Sequence, residues 1–134
     1  MNSYITHCAL YVSDIEKTKE FYVKYFDGTA NEKYTNSKGF QSYFIKFKMG
    51  ASLEVMTHVE LQVRKAMDKV NGFSHIAFAV GSDEKVREIT DILVKDGYEL
   101  LSPVRVTGDG YYESCIADPE GNRVEITVWD CIAT

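Results

Sequence analysis

Residues 6–12 read THCALYV, and residues 74–80 read SHIAFAV. Each stretch is apolar, carries a histidine at its second position and reaches a valine five residues after that histidine. Short apolar runs of this kind, rich in β-forming residues, are typical of strands. Two such similar strands in one chain indicate that a whole structural unit is repeated.

The segments that follow the two strands also occur in the same order. A helical pattern comes first in each half: Ser13 and Glu16 match a capping box before the first helix, and Gly28 stands where a helix would end. Gly97 ends the second helical pattern. Three strand-like segments then complete each half, near residues 29–35, 39–48 and 51–57 and near residues 98–105, 111–118 and 122–129.

This order predicts an α+β fold made of tandem βαβββ modules. The modules span about residues 4–57 and 73–129, and a polar, partly helical linker at 58–72 joins them into a single domain covering 1–134. The helical periodicity predicts buried faces formed by Ile15, Thr18, Phe21, Tyr22, Tyr25 and Phe26 and by Val86, Ile89, Ile92 and Leu93. Strand alternation predicts that Cys8, Leu10 and Val12 face the core.

Composition narrows the class of function. The 134 residues are 45% apolar and carry a formal net charge of −5, with no basic run, so nucleic acids and anionic membranes are not expected partners. No apolar stretch is long enough to span a bilayer, and the first residues lack the pattern of a signal peptide. Three cysteines, Cys8, Cys115 and Cys131, without CxxC spacing indicate reduced thiols and a cytoplasmic protein.

The repeat brings a histidine and a glutamate into each half. His75 follows His7 by 68 residues and Glu125 follows Glu54 by 71, so each half has a His in its first strand and a Glu in its last. Alternation places both on the sheet face away from the helix. A single His or Glu on a strand is usually structural or solvated, but the recurrence of both favours metal ligands.

Two imidazoles and two carboxylates suit a divalent first-row metal such as nickel, cobalt, zinc, manganese or iron. If the two sheets close on each other, the four ligands converge. An octahedral ion would then keep two positions open for water or substrate oxygens. The sequence therefore predicts a metal site at His7, Glu54, His75 and Glu125.

Four stretches resemble the vicinal oxygen chelate superfamily, which includes glyoxalases, bleomycin resistance proteins and dioxygenases. They read THCALYVSDIEKTKEFY, SLEVM, SHIAFAV and DPEGNRVEI. The His/Glu/His/Glu set is most similar to glyoxalase I, the lactoylglutathione lyases. The resemblance implies curved sheets that form a half-barrel cleft. It also implies a homodimer, in which one metal site is built either within one chain or from both.

The resemblance further implies a metal-dependent lyase or isomerase that transfers a proton through a metal-bound enediolate. Its substrate would be a small α-oxygenated compound or a hemithioacetal, with a low-molecular-weight thiol as co-substrate. Glu125 is then the first candidate for the catalytic base. Glu54 is a metal ligand and a second candidate base.

Two positions depart from the glutathione-using bacterial enzymes that the chain resembles. Those enzymes carry Arg four residues after the first His and Asn four residues after the first Glu, where this sequence has Tyr11 and His58. Tyrosine cannot form the bidentate pair that arginine makes with a carboxylate. Tyr11 and His58 are therefore predicted to bind a different substrate; the alternatives are aromatic packing for Tyr11 and an exposed loop position for His58.

Other activities on the same scaffold remain alternatives. Extradiol-type dioxygenases and thiol transferases use three protein ligands, and epimerases commonly carry Gln at the position of Glu54. A non-catalytic small-molecule-binding resistance protein is a further alternative, although such proteins generally lack the metal ligands. The presence of Glu54 favours the lyase and epimerase types, which use four protein ligands.

Overall fold

The computed structural model describes residues 2–65 and 69–129, which form two compact units divided after Lys65. Each unit contains a strand, a helix and further strands that complete one sheet. The predicted α+β class and the two βαβββ modules are confirmed. The proposed module bounds and the single-domain organisation stay predictions.

The first unit is a five-stranded sheet with one helix. The sheet order is β1-β5-β4-β2, with β3 also paired to β4. Strand β1 runs parallel to β5, and the other pairs are antiparallel. The elements are β1 (His7–Tyr11), α1 (Ile15–Phe26), β2 (Thr29–Ala30), β3 (Tyr34–Thr35), β4 (Phe40–Lys46) and β5 (Ser52–His58).

Helix α1 covers one face of this sheet and forms the core with it. The buried residues of this core are Val12, Ile15, Phe21, Tyr22, Phe26, Tyr43, Ile45, Leu53 and Val55. Their spacing follows the helical period in α1 and the two-residue period in β4 and β5, as expected for one apolar face on each element. Tyr25, predicted in the buried face, is only half-buried.

The N-terminal end of α1 differs from the capping pattern read in the sequence. Asp14, not Ser13, is the N-cap, and its carboxylate accepts a hydrogen bond from the backbone N–H of Lys17. Asp27 adopts the left-handed conformation expected for a glycine at a helix end, with φ of 55°. Gly28 follows this C-cap, as predicted, and its N–H donates to the Tyr22 carbonyl oxygen at 3.3 Å. A Cβ there would also lie 2.5 Å from Cγ2 of Ile45.

The second unit repeats the arrangement with a four-stranded sheet. The sheet order is β6-β9-β8-β7, with β6 parallel to β9 and the other pairs antiparallel. The elements are β6 (His75–Ala79), α2 (Asp83–Lys95), β7 (Leu100–Val106), β8 (Tyr112–Ala117) and β9 (Arg123–Thr127).

The buried face of α2 in the second unit differs in part from the face predicted by the helical periodicity. Val86 and Leu93 are buried as predicted, but Ile92 is 42% exposed and Ile89 only half-buried. The third buried position is Thr90, which lies on the same helical stripe, four residues after Val86. A hydroxyl can be buried there because it donates to the Val86 carbonyl oxygen at 2.6 Å.

One further prediction was wrong. Cys8 is exposed, because β1 is an edge strand that pairs only with β5 within the described residues. No helix occurs in the described parts of the linker, 59–65 and 69–72, and residues 66–68 lie outside the described residues. Cys131 lies outside the described residues. Among the residues that the structure describes, no helix has the length and apolarity needed to cross a membrane.

Candidate functional site

In the first unit, the structure brings His7 and Glu54 together. The ring Nε2 of His7 lies 3.9 Å from Oε1 of Glu54. The two side chains are 44% and 16% exposed, so the histidine is open to solvent and the carboxylate is largely shielded. The Phe44 ring packs edge-on against His7, with centroids 5.4 Å apart.

The second unit holds the equivalent pair, His75 and Glu125. Their Nε2 and Oε1 atoms are 3.1 Å apart, and the side chains are 39% and 21% exposed. The same two residue types therefore meet in both units, as the repeat in the sequence predicts.

Parallel strand pairing explains why each His meets its Glu. The first strand of each unit is paired with the last: Ala9 is aligned with Glu54, and Ala77 with Glu125. Residues next to Glu54 and Glu125 along their strands are buried beneath the helix, so alternation leaves both carboxylates on the helix-free face. Each histidine lies two residues before the aligned alanine and shares that face.

A hydroxyl orients each histidine, a feature that the sequence reasoning missed. Thr6 Oγ1 lies 3.1 Å from Nδ1 of His7, and Ser74 Oγ lies 3.0 Å from Nδ1 of His75. When the hydroxyl accepts, Nδ1 carries the proton and Nε2 presents its lone pair toward the glutamate side. Partners of this kind commonly fix the tautomer of metal-binding histidines. The signal was present in the paired dipeptides Thr-His and Ser-His.

The donor set of each pair suits a divalent metal ion. Two ligands about 2.1 Å from one ion and at right angles to each other lie about 3 Å apart. The His75–Glu125 distance of 3.1 Å matches that spacing. The His7–Glu54 distance of 3.9 Å is longer, and a small rotation of the exposed His7 ring would be needed. Among the described residues, no three His, Cys, Asp or Glu side chains lie together in a group that could hold a metal ion.

Glu113 is a second residue that the sequence reasoning missed. It is aligned with Thr127, two residues from Glu125 on the same face of β9. Burial raises the pKa of the Glu113 carboxyl, the charge of Glu125 raises it further, and Arg105 acts in the opposite direction. Alternation along β8 could have placed Glu113 on this face, but the alignment with β9 was needed to bring it to Glu125.

Tyr11 and His58 lie on the first unit's sheet. Tyr11 is the last residue of β1, aligned with Met56, and is 58% exposed. His58 ends β5, four residues after Glu54, and its Nδ1 accepts a hydrogen bond from the Glu60 backbone N–H at 3.0 Å. By alternation both share the helix-free face, Tyr11 with His7 and His58 with Glu54.

A family model and a related protein both match most of the chain. The family model of the Glyoxalase/Bleomycin resistance protein/Dioxygenase superfamily matches residues 4–126. The uncharacterized protein YqjT of Bacillus subtilis (strain 168) is 26% identical over 129 residues, which cover 93% of this chain and 98% of YqjT.

Solved structures share the fold. The glyoxylase/bleomycin resistance protein/dioxygenase domain from Frankia sp. EAN1pec has a TM-score of 0.82 at 16% identity, covering 97% of this chain and all (100%) of that domain. The trypanothione-dependent glyoxalase I of Leishmania major has a TM-score of 0.76 at 17% identity, covering 95% of this chain and 87% of that enzyme. At these identities the likeness concerns the fold alone.

Proposed function

The chain belongs to the Glyoxalase/Bleomycin resistance protein/Dioxygenase superfamily, and on that premise we propose that it is a metal-dependent lyase or isomerase of the glyoxalase I type. The observation that carries the proposal is the recurrence of one His–Glu pair, with one orienting hydroxyl, in both units. A structural role for one such pair would not require its repetition.

The four proposed ligands are His7, Glu54, His75 and Glu125. Each histidine would bind through Nε2, with its ring held by the hydroxyl of the preceding residue. The bound metal would supply Lewis-acid polarisation of two neighbouring substrate oxygens. Nickel, cobalt, zinc, manganese and iron all suit this mixture of imidazole and carboxylate ligands.

Glu125 is the proposed catalytic base. Its carboxylate would take a proton from one substrate carbon and return it to the neighbouring carbon, so the reaction is an isomerisation with no net loss of atoms. Glu113 lies beside Glu125 on the same face of the sheet. Glu54 would serve mainly as a ligand.

The proposed substrate is a small α-oxygenated compound or the hemithioacetal of a low-molecular-weight thiol. Tyr11 and His58 are proposed to contact the part of the substrate that does not react. Because neither is the Arg or Asn of the glutathione-using enzymes that the chain resembles, the thiol need not be glutathione. We further propose a cytoplasmic homodimer, in line with the family resemblance.

Turnover of methylglyoxal tests this proposal. Protein loaded in turn with Ni²⁺, Co²⁺, Zn²⁺ and Mn²⁺ would be offered methylglyoxal with glutathione, bacillithiol or coenzyme A, and thioester formation would be followed. We expect turnover with at least one thiol, and a fall in kcat of roughly 10²–10⁴-fold in Glu125→Gln. Glu120→Gln, in the turn before β9, is the matched control and should keep full activity. Equal kcat in Glu125→Gln and wild type would contradict the role of Glu125.

A further inference from the structure

A cavity of about 250 Å³ lies at one end of the first unit's sheet, and neither proposed ligand of that unit lines it. It is a shallow depression that is largely open to solvent. The cavity is lined by Thr35, Gly39, Gln41, Thr57, His58 and Val59.

Three of these residues form a polar row across three strands. Thr35 on β3 is aligned with Gln41 on β4, and Gln41 is aligned with Thr57 on β5. Aligned residues on neighbouring antiparallel strands have side chains on the same face, with Cβ atoms about 5 Å apart. The two hydroxyls and the amide are therefore presented side by side.

Two residues of the row stand at strand positions whose alternation would favour buried apolar side chains. Gln41 is in phase with the buried Tyr43, and Thr57 with the buried Val55, yet Gln41 and Thr57 are only half-buried. Among the described residues, no hydrogen bond joins the side chains of Thr35, Gln41 or Thr57 to another protein group. Half-exposed hydroxyl and amide groups without a protein partner are free to exchange hydrogen bonds to water for hydrogen bonds to a ligand.

His58 also lines the cavity. Its Nδ1 accepts from the Glu60 backbone N–H, so the proton of the neutral ring is on Nε2. The close backbone approach beside it, where the Val59 N–H donates to the Gly39 carbonyl oxygen at 3.1 Å, fixes the cavity wall. A side chain at position 39 would collide with Val59, since a Cβ there would lie 2.5 Å from Val59 Cγ2.

We propose that this cavity binds an uncharged polyhydroxyl group, such as a sugar or polyol. No lysine or arginine lines it, and the chain as a whole is acidic, so nothing in the cavity selects for an anion. Hydroxyls and an amide both donate and accept, which matches the hydroxyls of such a ligand. The volume lies below the roughly 300–1,000 Å³ of sites for drug-sized ligands, so a small molecule or one group of a larger molecule would fill it.

The inference goes beyond the proposed function, because binding in this cavity requires neither a metal ion nor a reacting substrate. His58 is the one residue that the cavity shares with the proposed substrate contacts. The polar row itself lies on the face of the sheet opposite Glu54, in phase with the buried Tyr43 and Val55, so a ligand bound there would be separate from the reacting substrate.

Titration of metal-free protein with D-glucose, followed by amide NMR, tests the inference. We expect saturable shifts at the amides of Gly39, Thr57 and Val59, and no comparable shifts with the dianion malonate. Thr57→Val and Gln41→Leu should each weaken glucose binding roughly fivefold, the worth of one hydrogen bond to a neutral group.

Thr29→Val, on β2 beside the end of β4 that is farther from the cavity, is the matched control and should bind glucose as wild type does. The spread of the amide NMR signals shows whether each variant is folded. If one of the two cavity variants does not fold, the other alone still tests the proposal. Absence of glucose shifts, equal shifts with malonate, or unchanged binding in a folded cavity variant would overturn the proposal. Because no metal is present, these outcomes are independent of whether the proposed enzyme activity is found.

Discussion

The hydroxyl that precedes each proposed histidine ligand is the smallest feature with a functional consequence. Thr6 and Ser74 stand at equivalent places in the two units and contact the same ring nitrogen, Nδ1. A ring held in this way keeps one tautomer, and its Nε2 points in one direction. The hydroxyl thereby links a dipeptide in the sequence to the orientation of a proposed ligand.

Removal of one of these hydroxyls should weaken metal binding. We expect Ser74→Ala to lower the affinity for Ni²⁺ or Zn²⁺ about 10-fold or more, because the His75 ring loses its orienting partner. Calorimetric titration of the metal-free protein would measure this. Ser37→Ala, an exposed serine in the turn before β4, is the control. Equal affinities in Ser74→Ala and wild type would show that the hydroxyl does not orient the ligand.

At the scale of elements, each helix buries one threonine, and the two threonines differ in whether their hydroxyl has a hydrogen-bond partner. Thr90 on α2 donates to the Val86 carbonyl oxygen, or shares a proton with the Ser114 hydroxyl 2.7 Å away. Thr18 on α1 is equally buried, but among the described residues its hydroxyl has no hydrogen-bond partner. The position equivalent to Thr18 in the second unit is Val86, 68 residues later, which is also fully buried.

The two threonines should therefore respond oppositely to valine. Thr18→Val should raise the free energy of unfolding by about 1 kcal/mol, since it removes a buried hydroxyl without a partner. Thr90→Val should lower it by about 1–2 kcal/mol, since Ser114 loses its partner in the core. Urea denaturation would measure both. A loss of stability in Thr18→Val would mean that its hydroxyl is satisfied in solution.

A charged cluster joins α1 to its sheet. The Tyr43 hydroxyl donates to Glu16 at 2.9 Å, and the Lys33 ammonium donates to it at 3.0 Å. The hydrogen bond from Lys33 is the main cause that lowers the pKa of Glu16 below its ordinary value of 4.5. Burial, together with the hydrogen bond to Glu16, raises the pKa of Tyr43.

This cluster predicts an acid-sensitive contribution to stability. Because the pKa of Glu16 is lower in the folded state, its stabilisation is present above pH 4.5 and is lost as the pH falls through the folded value. We expect Glu16→Gln to cost less than about 1 kcal/mol near neutral pH, since the pair is half-exposed and screened. Denaturation of both proteins at about pH 7 and about pH 3 should show the difference disappearing in acid. A difference that stays constant would exclude the ion pair as its cause.

Much of each element could be predicted from the sequence, because helices and strands impose periods that its apolar residues follow. The element order and the faces of His7 and Glu54 are direct consequences of those periods. Strand alignment is not encoded by alternation: the exposure of Cys8 depends on β1 being an edge strand, and the meeting of Glu113 with Glu125 depends on how β8 pairs with β9. The predicted convergence of all four ligands stays a prediction.

At the scale of the whole molecule, the proposal requires both pairs to serve one metal ion, either within one chain or across a homodimer. Mixing two inactive variants distinguishes a metal site within one chain from a metal site shared between two chains. If sites are shared between subunits, dissociating and recombining His7→Ala with His75→Ala should restore about a quarter of wild-type activity, since half the dimers are mixed and each has one intact site. Sites within one chain would give no recovery.

The most direct measurement is the metal content of the purified protein after exposure to Ni²⁺ or Zn²⁺, by elemental analysis. Wild type should retain about one ion per chain, and His7→Ala and His75→Ala should each lose most of it. His58→Ala removes the third histidine and should retain the metal. If wild type binds no divalent ion, or if His7→Ala and His75→Ala retain as much as His58→Ala, the repeated His–Glu pairs are not a metal site and the proposed enzyme is wrong.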